Sequence, residues 1–305
     1  MNRAMSTIID FPPQLDIQQN VPLSHFTNIK IGGPADYLSV IKDQNIYIEL
    51  FRFCREIGLP FLALGDGTNV FFPETGYHGI VAIIKFDSVG LMSKNTIVAE
   101  AGTSLNKIRE LCIETGLTGF EFASGIPGSI GGAIYGNAGA YGSNVGEILT
   151  RAKVLTPDGQ IRFVKNDFFK FSYRHSDLKI NPAIVLQAEF QLKKGDPAAI
   201  KSRCDEIINI RTKKLPPSDT LTAGSWFKNI KDEQGNSTAA AQYLEAVGSR
   251  QTSVGDAAVH IRHANIFYNK GKATATDMLK LEDILQKRVY KKFGIRLERE
   301  VMYLD

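Results

Sequence analysis

The chain has 305 residues, 43% hydrophobic and 22% charged, a globular composition long enough for two or three subdomains. Its net charge of +4 at pH 7 comes from Lys and Arg spread along the chain, which suits anionic small molecules and argues against a nucleic-acid surface. No apolar run is long enough to span a membrane, and the opening MNRAMSTIIDFPPQ has no apolar segment followed by a small-residue cleavage site, so no secretory leader is expected.

Residues 1–20 read as a loose lead-in. Asp43 caps a helix whose Ile46, Leu50, Phe53 and Ile57 share a face, and Gly58 stops it. Apolar runs at 60–64, 79–86 and 96–101 read as strands, the second of them buried. The spacing predicts a helix over 104–115, with Leu105, Ile108 and Cys112 inward and Gly116 at its end. Pro157-Asp158-Gly159 is a turn signal between 152–155 and 160–164, predicting a hairpin. Residues 184–192 alternate Ile184, Leu186, Ala188, Phe190 and Leu192 with Val185, Gln187, Glu189 and Gln191, the pattern of a half-buried strand. Asp196-Pro197 opens a helix through Ile210 with apolar positions at 200, 204, 207 and 208. Beyond 215 lies a separate unit, with a helix near 237–247, strands near 255–269, a helix from a capping-box variant at Thr274-Ala-Thr-Asp277 to Gly294, and a closing strand over 296–303. Cys54, Cys112 and Cys204 each fall in an amphipathic helix, far apart in sequence and odd in number, so buried free thiols and a reducing compartment are expected.

Two glycine-rich segments interrupt this rhythm. The first is Gly65-Asp66-Gly67-Thr68-Asn69-Val70. The second is Gly125-Ile-Pro127-Gly128-Ser129-Ile-Gly131-Gly132, continuing to Asn137 and Gly139; residues 118–146 hold nine glycines in 29 positions. Glycine lets main-chain N–H groups converge on one concavity and lets a ligand approach the backbone, a device for binding pyrophosphate. Neither segment fits the Rossmann fingerprint, since Gly65-x-Gly67 leads into Val-Phe-Phe-Pro rather than a helix, and no Walker lysine follows either one. The five histidines lack metal spacing, and no catalytic metal is expected.

Pro22-Leu23, Ile31-Gly-Gly-Pro-Ala-Asp36 and the two glycine loops resemble the FAD-binding half of the UDP-N-acetylenolpyruvoylglucosamine reductase (MurB) family. Further matches follow in order: Ser172-Tyr173-Arg174, Ala223-Gly224-Ser225-Trp-Phe-Lys228-Asn229, His263-Ala264-Asn265, Ala273-Thr-Ala-Thr-Asp277, and Phe293-Gly-Ile-Arg-Leu297-Glu-Arg-Glu300-Val301. Ile230 and Arg299 stand where the family pattern usually has proline. Between Arg174 and the strand at 184 there is no room for the extra tyrosine-bearing loop of one family branch, so the chain resembles the shorter branch.

The resemblance implies an α+β fold: a two-subdomain FAD-binding domain of the vanillyl-alcohol oxidase (PCMH) type over 21–90 and 91–214, and a C-terminal α+β substrate-binding domain over 215–305. It implies FAD as cofactor, NADPH as reductant and UDP-N-acetylglucosamine enolpyruvate as substrate, in a cytoplasmic monomer serving peptidoglycan synthesis. Gly65, Asp66, Gly67, Thr68, Asn69 and Val70 would hold the cofactor together with Gly125, Pro127, Gly128, Ser129, Gly131, Gly132, Asn137 and Gly139. Arg174 would hold the substrate carboxylate, since a guanidinium offers two parallel hydrogen bonds and stays charged. Ser225 would donate the proton to C2, and Glu300 would work protonated, as a hydrogen-bond donor beside that carboxylate. Glu298 shares a strand face with Glu300, and only the motif match separates them. Tyr173, Lys214, Lys228 and Asn229 would contact the sugar nucleotide. The alternatives are another FAD-dependent oxidase or dehydrogenase of the same superfamily, and a nucleotide-binding module without catalysis.

Overall fold

The computed structural model describes residues 9–231 and 235–305. Its first sheet has four strands in the order Gln18–Pro22, Pro34–Ile41, Tyr77–Ile84, Phe61–Leu64. The first pair is antiparallel and the other two pairs are parallel. Tyr77–Ile84 is central and apolar on both faces, as parallel strands buried on both sides must be. Ile80, Ala82 and Ile84 join one core, and Val81 and Ile83 join another, following the period of two. Residues 18–20, assigned by sequence to the lead-in, are instead part of the edge strand, and Leu15 before them is buried. The strands Pro34–Ile41 and Val89–Ser93 had no counterpart in the sequence reading.

Asp43 caps helix Gln44–Glu56 by accepting from the N–H groups of Asn45 and Ile46. The buried stripe runs through Tyr47, Leu50 and Cys54, while Ile57, expected inward, is exposed past the helix end. This helix fills the space between the first sheet and a second, five-stranded antiparallel sheet ordered Ile161–Lys165, Leu149–Leu155, Ile184–Gln191, Thr96–Glu100, Val89–Ser93. Strand Ile184–Gln191 is not half-buried as its alternation suggested: Val185 and Glu189 are buried too. The second face is covered, with Gln44 donating to the Leu186 carbonyl and Arg151 pairing with Glu189. Helices Leu105–Thr115 and Pro197–Lys214 pack together, and the latter runs a turn further than the apolar spacing indicated. Cys54, Cys112 and Cys204 are buried free thiols, and burial pushes the first two up to about 12.

Residues beyond Lys214 build a third core around the antiparallel sheet Thr222–Ser225, Ile266–Asn269, Ala257–Val259, Ser253–Val254. Helix Ala275–Phe293 lies against it, opened by the reciprocal Thr274–Asp277 capping box and closed by Gly294. Ile29, Ile31 and Phe71 of the first unit join this core. The expected closing strand shrinks to Met302–Tyr303, which pairs in parallel with Val70–Phe71, plus one bridge between Phe227 and Arg299. The chain end is thereby tied to the first glycine loop: Met302 N–H donates to the Asn69 carbonyl.

Candidate active site

The first glycine loop leaves the carboxyl end of strand Phe61–Leu64, where open α/β sheets place their ligands. Gly67 turns it, with φ of +62°, and a Cβ there would stand 1.9 Å from the Phe26 carbonyl oxygen. The second loop is pinned from behind, since Leu105 N–H donates to Gly128 O, Ile130 N–H to Thr103 O, and Gly131 N–H to Ala101 O. The loops meet edge to edge: a Cβ on Gly65 would lie 2.4 Å from Ser129 Oγ, and one on Gly128 would lie 3.1 Å from Thr68 Oγ1.

Between them opens a cavity of about 960 Å³. Every residue of 65–70 lines it, as do Pro127, Gly128, Ser129, Gly131, Gly132 and Gly139. Its volume is at the top of the range for small-molecule sites, and its walls have glycine where a side chain would intrude, so the residues fit an extended dinucleotide. Gly125 and Asn137 are not on its wall. The amide of Asn137 donates to Ser172 O at 2.9 Å and accepts from Gly146 N–H at 3.0 Å, which fixes the turn carrying Arg174.

Arg174, Ser225 and Glu300 line this same cavity. Arg174 sits in left-handed backbone, φ +54°, and its Nη1 donates to Gly139 O at 2.8 Å. Its Nε lies 2.7 Å from Glu300 Oε1, although the N–H is not aimed at that oxygen, so the contact is an ion pair with a poorly directed hydrogen bond. Burial pushes the Glu300 carboxyl above the usual carboxylate value, and the nearby Arg174 charge only partly offsets it. Ser225 ends strand Thr222–Ser225 beyond an irregularity at Gly224, whose φ is +86°. Glu300 N–H donates to Trp226 O, and Lys228 N–H to Glu298 O, so the Ser225 segment and the chain end run side by side.

Tyr173 stands just outside the cavity wall. Its hydroxyl accepts from Asn229 N–H at 3.3 Å, and its ring packs under Arg174 Cζ and Lys231 Nζ, each 5.5 Å from the centroid. Lys228 pairs with Glu298, and the Asn229 Oδ1 accepts from Ala240 N–H at 3.3 Å. Lys214 is exposed in the last turn of its helix and does not reach the cavity. Three cations on the wall escaped the sequence reading: Arg55, Lys179 and Arg211. Arg211 follows Ile200, Cys204 and Ile207 on one buried stripe, so a cation at an apolar position was the available signal; its Nε donates to Gly125 O at 3.1 Å. Lys179 lies in the short turn Asp177–Lys179, and burial holds its amine below the usual lysine value. Nothing in its local pattern marked it.

A family model described as the FAD binding domain matches residues 36–165, a span that holds both glycine loops and the strands of both sheets except Gln18–Pro22 and Ile184–Gln191. Together with the glycine-walled cavity, this makes the chain a flavin-dependent oxidoreductase. A second family model, for the C-terminal domain of UDP-N-acetylenolpyruvoylglucosamine reductase, matches residues 216–304. A reductase of that name from Clostridium novyi (strain NT) is 35% identical over 301 residues, covering 99% of this chain and 95% of the relative. One from Caldanaerobacter subterraneus subsp. tengcongensis is 39% identical over 282 residues, covering 92% and 91%. The crystal structure of the reductase (MurB) from Thermus caldophilus superposes with a TM-score of 0.79 at 26% identity, covering 95% of this chain and 100% of that one. The chain belongs to the UDP-N-acetylenolpyruvoylglucosamine reductase family.

Proposed function

We propose that this chain reduces UDP-N-acetylglucosamine enolpyruvate to UDP-N-acetylmuramate for peptidoglycan synthesis, with NADPH as reductant, as a cytoplasmic monomer. The observation that carries the reading is the convergence of Arg174, Ser225 and Glu300 on the cavity that the two glycine loops wall. Among the described residues no helix is long and apolar enough to cross a membrane. Residues 21–90 and 91–214 then form the cofactor-binding half and 215–305 the substrate half, a division supported by the helix end at Lys214.

FAD, when bound, supplies the hydride to C3 of the enolpyruvyl group. Negative charge develops at C2 and spreads onto the substrate carboxylate. Arg174 holds that carboxylate with its forked donors and stabilises the charge where it grows. Ser225 delivers the proton from Oγ to C2; an alcohol is a weak acid, and it serves here because the centre it protonates is carbanion-like and shielded from water. Glu300 occupies Arg174 in the described state. Its raised pKa favours protonation when the substrate carboxylate takes over the guanidinium, leaving Glu300 as a hydrogen-bond donor. Lys179 and Arg211 on the wall supply positive charge toward the diphosphate, Lys228 adds its charge near Glu300, and Tyr173 with Asn229 closes the gap between the halves.

The test is the visible spectrum of the purified protein followed by anaerobic half-reactions. Flavin absorbance bands, bleaching by NADPH and rapid return on mixing with UDP-N-acetylglucosamine enolpyruvate are expected. Reoxidation no faster than with simple enol ethers would reject the substrate, and a colourless protein that binds no FAD would reject the reading altogether.

A further inference from the structure

Behind the site, on the side away from the cavity, lies a buried carboxylate that the proposed chemistry does not use. Glu282 sits midway along helix Ala275–Phe293 and is 6% exposed. Its Oε2 accepts from Trp226 Nε1 at 2.9 Å and from Arg299 Nε at 2.7 Å, and its Oε1 accepts from Gln286 at 3.4 Å. Trp226 directly follows Ser225, and Arg299 directly precedes Glu300. In extended backbone neighbouring side chains point to opposite faces. Ser225 and Glu300 accordingly face the cavity, while Trp226 is fully buried against Phe267 and Arg299 turns back toward the helix.

We infer that Glu282 is a positioning residue: one carboxylate, gripping the side chains next to the proton donor and next to the acid, sets the separation and orientation of Ser225 and Glu300. Main-chain bonds already pair the two segments, with Glu300 N–H on Trp226 O and a bridge between Phe227 and Arg299. Those bonds fix register but leave both segments free to tilt together. The Asn265 side chain holds Phe227 from one side, through Phe227 N–H at 3.0 Å and Phe227 O at 2.8 Å. Glu282 is the anchor to the long helix on the other. A buried charge persists only where it is paired and hydrogen-bonded, and here the partners are the residues flanking the site.

The inference rests on the function proposed above and is tested on the FAD-loaded enzyme with Glu282→Gln, Arg299→Met and the double variant. Glu282→Gln keeps an acceptor for Trp226 but leaves the Arg299 charge unmatched. Flavin content and the rate of reduction by NADPH should stay at parental values. The limiting rate of reoxidation by UDP-N-acetylglucosamine enolpyruvate should fall roughly 10- to 100-fold, the scale of a small misplacement of reacting groups. The half-saturating substrate concentration should move by less than about threefold, because binding contacts are intact. The double variant, which lacks the same link, should be about as slow as the worse single one, because either change alone already releases the grip. If Glu282→Gln does not fold, Arg299→Met alone should show the same loss confined to reoxidation. Parental reoxidation in the folded single variants, an equal fall in both half-reactions, or a double variant that either recovers the parental rate or loses the product of the two single losses would overturn the inference. Failure of the unaltered protein to be reoxidised by this substrate would instead overturn the proposed function, and is distinguishable because it needs no variant.

Discussion

Replacing Arg174 with Lys keeps the charge and removes the fork. The backbone at 174 is left-handed for either residue, so the substitution leaves main-chain strain unchanged and isolates the side chain. In the parent, Nη1 is held by Gly139 O at 2.8 Å and Nε stands 2.7 Å from Glu300, leaving the outer donors for a carboxylate. A single ammonium on a flexible stem cannot serve Gly139, Glu300 and a bidentate substrate at once. The Arg174 side chain is 28% exposed, so water does little to replace what is lost. Losing one to two charge-assisted hydrogen bonds, each about 1.5–3 kcal/mol, in a state where charge is growing gives about 1.5–6 kcal/mol, or roughly 10–10⁴ in rate. The assay is stopped-flow absorbance of the NADPH-reduced enzyme mixed with saturating UDP-N-acetylglucosamine enolpyruvate. Reoxidation within about threefold of the parent would refute the assignment of the guanidinium to the carboxylate.

Three further outcomes can be checked. Ser225→Ala should bind FAD and be reduced by NADPH at near-parental rates while its reoxidation by substrate falls by roughly 10² or more, the range of a lost general acid; an equal fall in both half-reactions would make Ser225 structural. Gly67→Ala combines a left-handed φ of +62° with a Cβ 1.9 Å from Phe26 O, whereas Gly58→Ala meets nothing within 4 Å at φ +68°. Gly58→Ala should therefore lose only about 1 kcal/mol, and Gly67→Ala about 2–5 kcal/mol together with retained FAD, as read by Tm and flavin-to-protein ratio; equal Tm losses would contradict the packing at Phe26. Burial disfavours charged Glu300 in the folded chain, so folding takes up a proton between the usual carboxylate value and the raised one, and native stability falls as pH rises through that window. Glu300→Gln lacks this dependence, and its Tm relative to the parent should rise from about pH 4 to about pH 7; a flat or falling difference would show that the Arg174 pair outweighs burial.

Local signals placed much of the fold correctly. Asp43, Ser104, Asp196 and Thr274 start helices because each side chain accepts from N–H groups that the helix leaves unpaired, a relation complete within a few residues. The apolar run at 79–86 announced the central parallel strand. Burial faces were harder to read where neighbouring elements, and not the strand itself, decide what is covered: Val185 joins the core shared with the first sheet, and Glu189 is buried in its ion pair with Arg151 of the adjacent strand. The strand Pro34–Ile41 was hidden by its opening glycines and proline, and the closing strand was over-read because only two of its residues find a partner at Val70–Phe71.

The two glycine loops, the Tyr-Arg pair and the Ala-Gly-Ser segment were visible in the sequence because each is a run of consecutive residues whose backbone freedom or side-chain chemistry is local. Their meeting was not. Arg174, Ser225 and Glu300 come from three distant segments, and Arg211 and Lys179 join them only because helix Pro197–Lys214 and the turn at 177–179 pack along the same wall. Charge proximity depends on the distance between groups in space, which residue spacing does not set. Hence the raised pKa of Glu300, its pairing with Arg174, and the grip of Glu282 on Trp226 and Arg299 were decided by tertiary packing alone.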